Sequence, residues 1–249
     1  MPDKLYGTTI GSNYQHQVGP KTAKYFKAFD FNSAAKNYKK LNRDVLVQDA
    51  QELMKFRSGQ EGFEFIDSAK KGKLFEQIDQ GFFQSRYDCE NDELVLQPIP
   101  YILLFNSQRE VFSYVRAENI TDYGDTRLFG KHSLGLGGHI NREDAPNYVL
   151  NCLLREFKEE VKISESNSEP LLLGTLFVKD KAVDRVHFGL IYAINCCGEV
   201  KPGESSIKYG RMMSIEEIEQ DALAKEKYES WSKVLIPYLS EIYQKVISK

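Results

Sequence analysis

A short acidic stretch contains the side chains best suited to chemistry. Glu156, Glu159 and Glu160 lie within Arg-Glu-Phe-Lys-Glu-Glu at 155–160. Their i, i+3, i+4 spacing places three carboxylates on one helix face, where like charges repel by roughly a few tenths of a kcal/mol per pair. A cation would relieve this repulsion, and hard divalent ions bridge carboxylates to substrate phosphates. The spacing therefore predicts a site for Mg²⁺ or Mn²⁺.

The apolar residues of this segment indicate how the helix packs. Leu150, Leu153, Leu154, Phe157 and Val161 also follow helical spacing. We expect them to seat the helix on a core, with the carboxylates on the opposite face. The alternative is a solvated, Glu-rich surface helix, which is what most charge runs are.

A glycine-rich segment precedes the helix. Gly135, Gly137 and Gly138 end an apolar stretch, and His139 follows as a structural hydrogen-bonding residue. Glycine lets a backbone approach an ion or a phosphate closely. We therefore expect Gly137→Val to reduce activity far more than folding.

The segment 138–163 resembles the Nudix box, written Gly-x5-Glu-x7-Arg-Glu-(apolar)-x-Glu-Glu-x-Gly-(apolar). The matching residues are Gly138, Arg155, Glu156, Phe157, Glu159, Glu160 and Ile163. Asp144 stands where the family has Glu, three residues are inserted at 145–147, and Lys162 replaces the family's Gly. We expect the insertion to lie in the loop before the helix and Asp144 to cap it. Lys162 should cost roughly 1 kcal/mol at the helix exit.

The resemblance extends beyond the box. Segments 97–101, 114–116, 128–133 and 229–232 are similar to a branch of bacterial Nudix proteins described only as predicted phosphoesterases. The family resemblance implies an α+β fold in which a mixed β-sheet lies between α-helices. It divides the chain into an N-terminal extension over 1–94 and a Nudix domain over 95–249, with 45–94 as a further candidate part of that domain.

The coarse pattern agrees with such a fold. Strand-like runs at 99–105 and 111–117 predict a hairpin, and those at 171–178 and 186–195 predict a second strand pair. A capping box opens a helix at 214–217. A final helix over about 225–247, interrupted near Pro237, should bury Trp231, Leu235 and Leu239.

The resemblance also implies roles for the site residues. The metal ligands would be Glu156, Glu159, Glu160 and the backbone carbonyl of Gly137. Arg155 would orient a box glutamate through an ion pair, and one carboxylate would act as general base. The catalytic residues would thus be Glu159, Glu160 and Arg155.

Substrate contacts are assigned to charged residues near the glycine segment. Arg116, Arg127 and Lys131 precede that segment and could bind phosphates. Glu204 lies in a Pro-Gly-Glu-Ser loop, where some Nudix enzymes place a further metal ligand or base. A solvated surface position is the alternative for each of them.

Composition restricts the binding partners and the cellular compartment that we expect. The 249 residues carry a net charge of −3, so charge gives no argument for nucleic acid or membrane binding. The four cysteines lack metal-finger spacing, which predicts reduced thiols in a cytoplasmic protein. The N-terminal segment could cap the site, form a homodimer or bind another partner.

Together these features predict a Nudix-type pyrophosphohydrolase. It would use Mg²⁺ or Mn²⁺ to cleave a diphosphate linkage in a nucleoside diphosphate derivative or another small diphosphate. A catalytically silent nucleotide-binding or regulatory module is one alternative, against which the intact box glutamates argue. A diphosphate isomerase on the same fold is the other, and it would need acid and base residues that the pattern does not locate.

Overall fold

The computed structural model describes residues 43–59, 61–117, 128–166, 169–224 and 227–248. The strands are β1 (Asp44–Asp49), β2 (Gly62–Phe65), β3 (Phe82–Ser85), β4 (Val95–Phe105), β5 (Glu110–Arg116), β6 (His132–Ser133), β7 (Gly135–Gly137), β8 (Val161–Ser166), β9 (Leu171–Phe177), β10 (His187–Pro202) and β11 (Ile207–Ser214). The α-helices are α1 (Ala50–Met54), α2 (Ser68–Asp79), α3 (Arg86–Cys89), α4 (Tyr148–Glu160), α5 (Ala182–Arg185), α6 (Ile215–Ala224), α7 (Ser230–Leu235) and α8 (Leu239–Ile247). Single 3₁₀ turns cover Arg142–Asp144 and Ile236–Tyr238.

The strands form one mixed sheet. Its main path runs in the order β11-β5-β4-β10-β9-β2. Strands β4 and β10 lie parallel at its centre, whereas β5, β9 and β2 join by antiparallel pairing. Strand β7 pairs with β4, and β8 pairs with the end of β10. The sheet thus brings the glycine segment and the exit of α4 to its two central strands.

Side-chain alternation along the central strands builds a core on each face of the sheet. On β4, Ile102 and Leu104 enter the core beneath α2 and α4, whereas Leu103 and Phe105 enter the core beneath α6, α7 and α8. Successive strand residues point to opposite faces, so an almost continuous apolar strand can serve both cores. The predicted α+β fold, a mixed sheet between helices, is confirmed.

Several predicted elements are present. Strands β4 and β5 form the first hairpin, with Arg109 in the left-handed region at φ 64°. Strands β9 and β10 form the second pair. Trp231, Leu235 and Leu239 are buried as predicted, and the 3₁₀ turn at Ile236–Tyr238 interrupts the final helical region where Pro237 predicts a break. This region begins at α7, later than predicted.

Three strands before residue 94 were not predicted. Strand β1 pairs with β3 and β4, and β2 pairs with β9. The described residues from 44 onward therefore share one sheet with the later strands. This pairing favours placing 45–94 with the Nudix domain, and the domain boundary stays a prediction. Within the described ranges, no helix has the length and apolar character needed to cross a membrane.

Candidate metal and catalytic site

Helix α4 buries a face that only partly matches the predicted one, because Leu153, Phe157 and Val161 pack on the core as predicted. Val149, Cys152 and Leu153 are buried, whereas Leu150 and Leu154 are 45% and 38% exposed. The prediction that both of these leucines seat the helix is therefore wrong. The buried residues follow i, i+3, i+4 spacing, but that face includes a thiol and, further along, carboxylates that an apolar pattern excludes.

The carboxylates of α4 differ in burial. Continuing the buried series leads to Glu156 and Glu160, which lie on the inward side of the helix. Glu160 is only 5% exposed, and the N–H of Gly137 donates to its Oε2 at 2.9 Å. The Glu159 side chain, by contrast, is 54% exposed. The acidic helix is thus not a solvated face, because two of its carboxylates face the glycine segment.

The two adjacent glycines have different neighbours. A Cβ on Gly137 would lie 1.9 Å from the carbonyl oxygen of Pro100, in the paired strand β4. A Cβ on Gly138 would instead lie 2.3 Å from the Glu156 carboxylate. The expectation that Gly137→Val spares folding is therefore wrong, because Gly137 is required for strand packing. Gly138 is the glycine that makes room for a carboxylate.

Arg155 is anchored by the residue that replaces the family's Glu. Its Nε and Nη2 donate to the two carboxylate oxygens of Asp144, each at 2.9 Å, and Nη2 also donates to the carbonyl of His139 at 3.0 Å. Its Nη1 donates to Glu156 Oε1 at 2.5 Å. These hydrogen bonds raise the pKa of Arg155, with Asp144 as the largest cause. Buried Asp144 is thus an ion-pair partner rather than only a cap, and Arg155 holds Glu156.

The departures from the box are accommodated locally. The inserted residues 145–147 lie between the 3₁₀ turn and α4, as predicted, and Asn147 stands at the N-cap without a side-chain cap bond. The helix ends at Glu160, and Val161 continues in an extended conformation into β8. The expected strain at Lys162 is therefore wrong, because this exit uses no left-handed residue where the family has Gly.

The loop after β10 lies against the end of α4. The N–H of Gly203 donates to the carbonyl of Glu160 at 2.7 Å, and a Cβ on Gly203 would lie 2.7 Å from the carbonyl of Glu159. This packing brings the exposed Glu204 close enough for its charge to act on Glu156 and Glu160. The structure thus joins Glu204, distant in sequence, to the acidic cluster.

Arg116 lies inside a buried polar network. Its Nη2 is 3.6 Å from Glu229 Oε2 and donates to Ser133 Oγ at 3.4 Å. The hydroxyl of Tyr101 donates to Glu229 Oε1 at 2.7 Å. The charge of Arg116 also reaches Glu160, whose pKa it lowers. Sequence reasoning did not assign Glu229, although it lies in one of the segments that carried the resemblance.

The structure says less about the other two predicted phosphate contacts, Lys131 and Arg127. The carbonyl of Lys131 accepts a hydrogen bond from the N–H of Arg116 at 3.0 Å, which places Lys131 beside the end of β5. Arg127 lies outside the described residues.

Burial and neighbouring negative charges disfavour the ionised forms of Glu156 and Glu160. Burial raises the pKa of Glu160 well above its ordinary value, and the negative charges of Glu156 and Glu204 raise it further. The charge of Arg116 and the hydrogen bond from the Gly137 N–H lower this pKa by less. Burial likewise raises the pKa of Glu156, against the charge of Arg155. Glu156 and Glu160 can relieve this cost either by taking up protons or by binding a cation.

Comparison with known proteins supports a single family. No protein-family model matches the chain. Protein YmaB of Bacillus subtilis is 29% identical over 212 residues, covering 80% of this chain and 98% of YmaB. The crystal structure of Tm1382, a candidate Nudix hydrolase, is 26% identical with a TM-score of 0.63, covering 80% of this chain and 100% of Tm1382. Together with the box residues and the mixed sheet between helices, this likeness shows that the chain belongs to the Nudix hydrolase superfamily.

Proposed function

We propose that the protein is a Mg²⁺- or Mn²⁺-dependent hydrolase that cleaves the diphosphate linkage of a nucleoside diphosphate derivative. The observation that carries the proposal is the convergence of Glu156 and Glu160 on the glycine segment, with Glu204 brought to the same end of α4. Oxygen donors in such a group match the ligands that hard divalent cations take.

The charges of the site fit a cation. Among the described residues, the guanidinium groups of the site are those of Arg116 and Arg155. Each is paired with a buried carboxylate of its own, Glu229 or Asp144. Glu156, Glu159, Glu160 and Glu204 thus share two guanidinium charges that Asp144 and Glu229 also neutralise, so a bound cation would lower the repulsion among these carboxylates.

The proposed role of each carboxylate follows from its burial. We assign Glu156 and Glu160 to the metal, together with Glu159 and the carbonyl of Gly137 as the resemblance implies. When bound, the cation supplies positive charge to the phosphate oxygens and makes a water more acidic. Arg155, fixed by Asp144, holds Glu156 in position. An exposed carboxylate, Glu159 or Glu204, would accept the proton of the attacking water.

The remaining assignments are part of the same proposal. The substrate is a small diphosphate, with Lys131 and Arg127 offered as phosphate contacts and Arg116 acting on Glu160 from within its network. Cys89, Cys152, Cys196 and Cys197 form no disulfide within the described residues, which supports a reducing compartment such as the cytoplasm.

A phosphate-release assay tests this function. The protein is incubated with a panel of nucleoside diphosphate derivatives, with Mg²⁺, with Mn²⁺ or with EDTA, and products are separated by chromatography. We expect cleavage between the two phosphates of at least one compound, dependent on metal. Binding without turnover would favour the silent module, and an isomerised diphosphate would favour the isomerase.

We expect a divalent metal to stabilise the fold. Because the cation binds the folded carboxylate cluster and not the unfolded chain, Mg²⁺ at about ten times its dissociation constant should add about 1.4 kcal/mol. For a chain of this size that corresponds to a melting temperature about 3–6 °C higher. Calorimetry with and without EDTA measures the shift. A melting curve that neither Mg²⁺, Mn²⁺ nor EDTA moves would contradict the site.

The two adjacent glycines should respond differently to alanine. Gly138→Ala should displace Glu156 and reduce kcat by about 10–100-fold, the cost of disturbing support around a metal site. Its melting temperature should change little, because the atom it meets ends a flexible side chain. Gly137→Ala should cost about 3 kcal/mol of unfolding free energy, because its Cβ meets the backbone of β4. Circular dichroism melts and turnover on both variants check this contrast; equal stability losses would refute it.

A further inference from the structure

Two histidines and a glutamate converge behind the glycine segment. His139 follows Gly138, His187 begins the central strand β10, and Glu90 follows helix α3. The two Nε2 atoms are 3.0 Å apart, and one ligand atom from each of the three residues lies within 4.8 Å of the others. Their rings meet edge to face at 5.1 Å between centroids. We propose that Glu90, His139 and His187 form a second metal site, for Zn²⁺ or a similar transition metal ion.

The hydrogen bonding of His187 prepares it to bind a metal. Its Nδ1 lies 2.5 Å from the carbonyl oxygen of Val183. A carbonyl can only accept, so Nδ1 carries the hydrogen and neutral His187 presents a lone pair at Nε2. A backbone acceptor on the far ring nitrogen is the usual support of a metal-binding histidine. His187 is also buried, so its ring is fixed by packing.

The spacing of the two imidazole nitrogens fits a small metal ion. Tetrahedral Zn²⁺ with bonds of about 2.0–2.1 Å would separate two nitrogens by about 3.3 Å. The separation of 3.0 Å is close to that value, so a small movement of the His139 ring would admit the ion. In the metal-free protein, the Nε2 hydrogen of His139 can donate to His187. Metal binding would move that hydrogen to Nδ1 of His139 and leave the Nε2 lone pair for the ion.

The chemistry of the donors separates this site from the acidic cluster. Two imidazoles and one carboxylate suit Zn²⁺, Fe²⁺ or Co²⁺, whereas Mg²⁺ prefers oxygen ligands. Glu90 is held in place by Arg86, whose Nε lies 3.1 Å from Glu90 Oε1. Imidazole ligation should therefore select the ion.

Such an ion would join three segments that are remote in sequence. It would connect the end of α3 to the glycine segment and to the first residue of β10. The carbonyl of His139 also accepts a hydrogen bond from Arg155, so the ion would stabilise the backbone that supports the acidic cluster. The site is inferred from its own geometry and does not depend on the proposed hydrolysis.

Metal titration of the full chain, without a histidine tag, tests the site. The Glu159→Gln/Glu160→Gln double variant is used so that the acidic cluster is weakened, and the protein is first stripped with a chelator. We expect one equivalent of Co²⁺ to bind with a visible d–d absorption band, Zn²⁺ to displace it, and Zn²⁺ to raise the melting temperature. X-ray absorption of the zinc form should show two imidazole nitrogens in the first shell.

Matched variants in the same background decide the assignment. Glu90→Gln and His139→Gln each remove one proposed ligand atom and keep a polar side chain, and a melt in EDTA shows whether each variant is folded. Each should weaken zinc binding by more than about 10-fold. Cys197→Ser, at a partly exposed cysteine, should leave zinc binding unchanged. Absence of stoichiometric Co²⁺ or Zn²⁺ binding, a thiolate charge-transfer band, or full affinity in both ligand variants would overturn the proposal.

Discussion

Glu159→Gln and Glu160→Gln should each lower turnover by about 10³-fold or more, as expected when a metal ligand or a general base is lost. Glutamine keeps the size and helix propensity of glutamate, and at position 160 its amide oxygen can still accept the N–H of Gly137. The fold should therefore remain intact in both variants. Steady-state kinetics on the identified substrate, with Mg²⁺ saturating, measure the loss.

Lys158→Gln is the matched control for this pair. Lys158 is exposed on the same helix, between the two inward carboxylates in sequence, and its replacement should change kcat by less than about twofold. Similar activity for Lys158→Gln, Glu159→Gln and Glu160→Gln would show that the α4 carboxylates neither bind the metal nor act as general base.

The buried carboxylate also predicts how stability depends on pH. The folded protein holds the proton of Glu160 more tightly than the unfolded chain does, because burial raises its pKa. Stability from this group is therefore present below the unfolded value of about 4.3 and is lost as pH rises toward the folded pKa. In EDTA, Glu160→Gln should remove that loss and melt at a temperature equal to or above that of the unmodified protein at pH 7. Thermal melts of both proteins from pH 5 to pH 8 test whether the unmodified protein loses stability relative to Glu160→Gln as pH rises.

Asp144→Asn should destabilise the protein and impair catalysis together. It removes the charge that accepts two hydrogen bonds from Arg155 and leaves a guanidinium without its buried partner. Breaking a buried pair costs about 3–5 kcal/mol, and because the Arg155 side chain is 24% exposed we expect about 2 kcal/mol, or about 4–8 °C in melting temperature. The loosened Glu156 should lower kcat by about 10–100-fold.

Two controls separate positioning from general damage. Asp144→Glu restores the residue type of the family's box and should recover most of the lost kcat. Arg142→Gln breaks the exposed ion pair with Asp44 on the same loop and should cost less than about 1 kcal/mol. If Asp144→Asn behaved like Arg142→Gln, or if Asp144→Glu recovered nothing, Asp144 would not support Glu156.

Local spacing predicted the parts of the site that depend on one segment. The register of Arg155, Glu156, Glu159 and Glu160 follows from a single helix, and the inserted residues fall in the loop because Pro146 precedes the first turn. The buried face of α4 could not be found in this way. An amphipathic pattern assigns Leu150 and Leu154 to the core, whereas the helix turns the polar Glu156 and Glu160 inward. A pattern of apolar residues excludes such positions from the core.

Features that join distant segments gave no local signal. Strand β2 exists through its pairing with β9, more than 100 residues away, and β3 through β1. The Arg116–Glu229 pair and the Glu90–His139–His187 cluster likewise form only after the sheet has assembled. Short strands of mixed polarity are specified by their partners more than by their own propensity.

The central claim is that the carboxylate cluster on α4 is the hydrolytic metal centre. The most direct measurement is product release from the identified diphosphate as Mg²⁺ is titrated, with the unmodified protein and Glu160→Gln side by side. We predict saturable, metal-dependent cleavage by the unmodified protein and a loss of about 10³-fold or more in the variant at every metal concentration. Cleavage that persists in EDTA, or equal rates for the two proteins, would contradict the account.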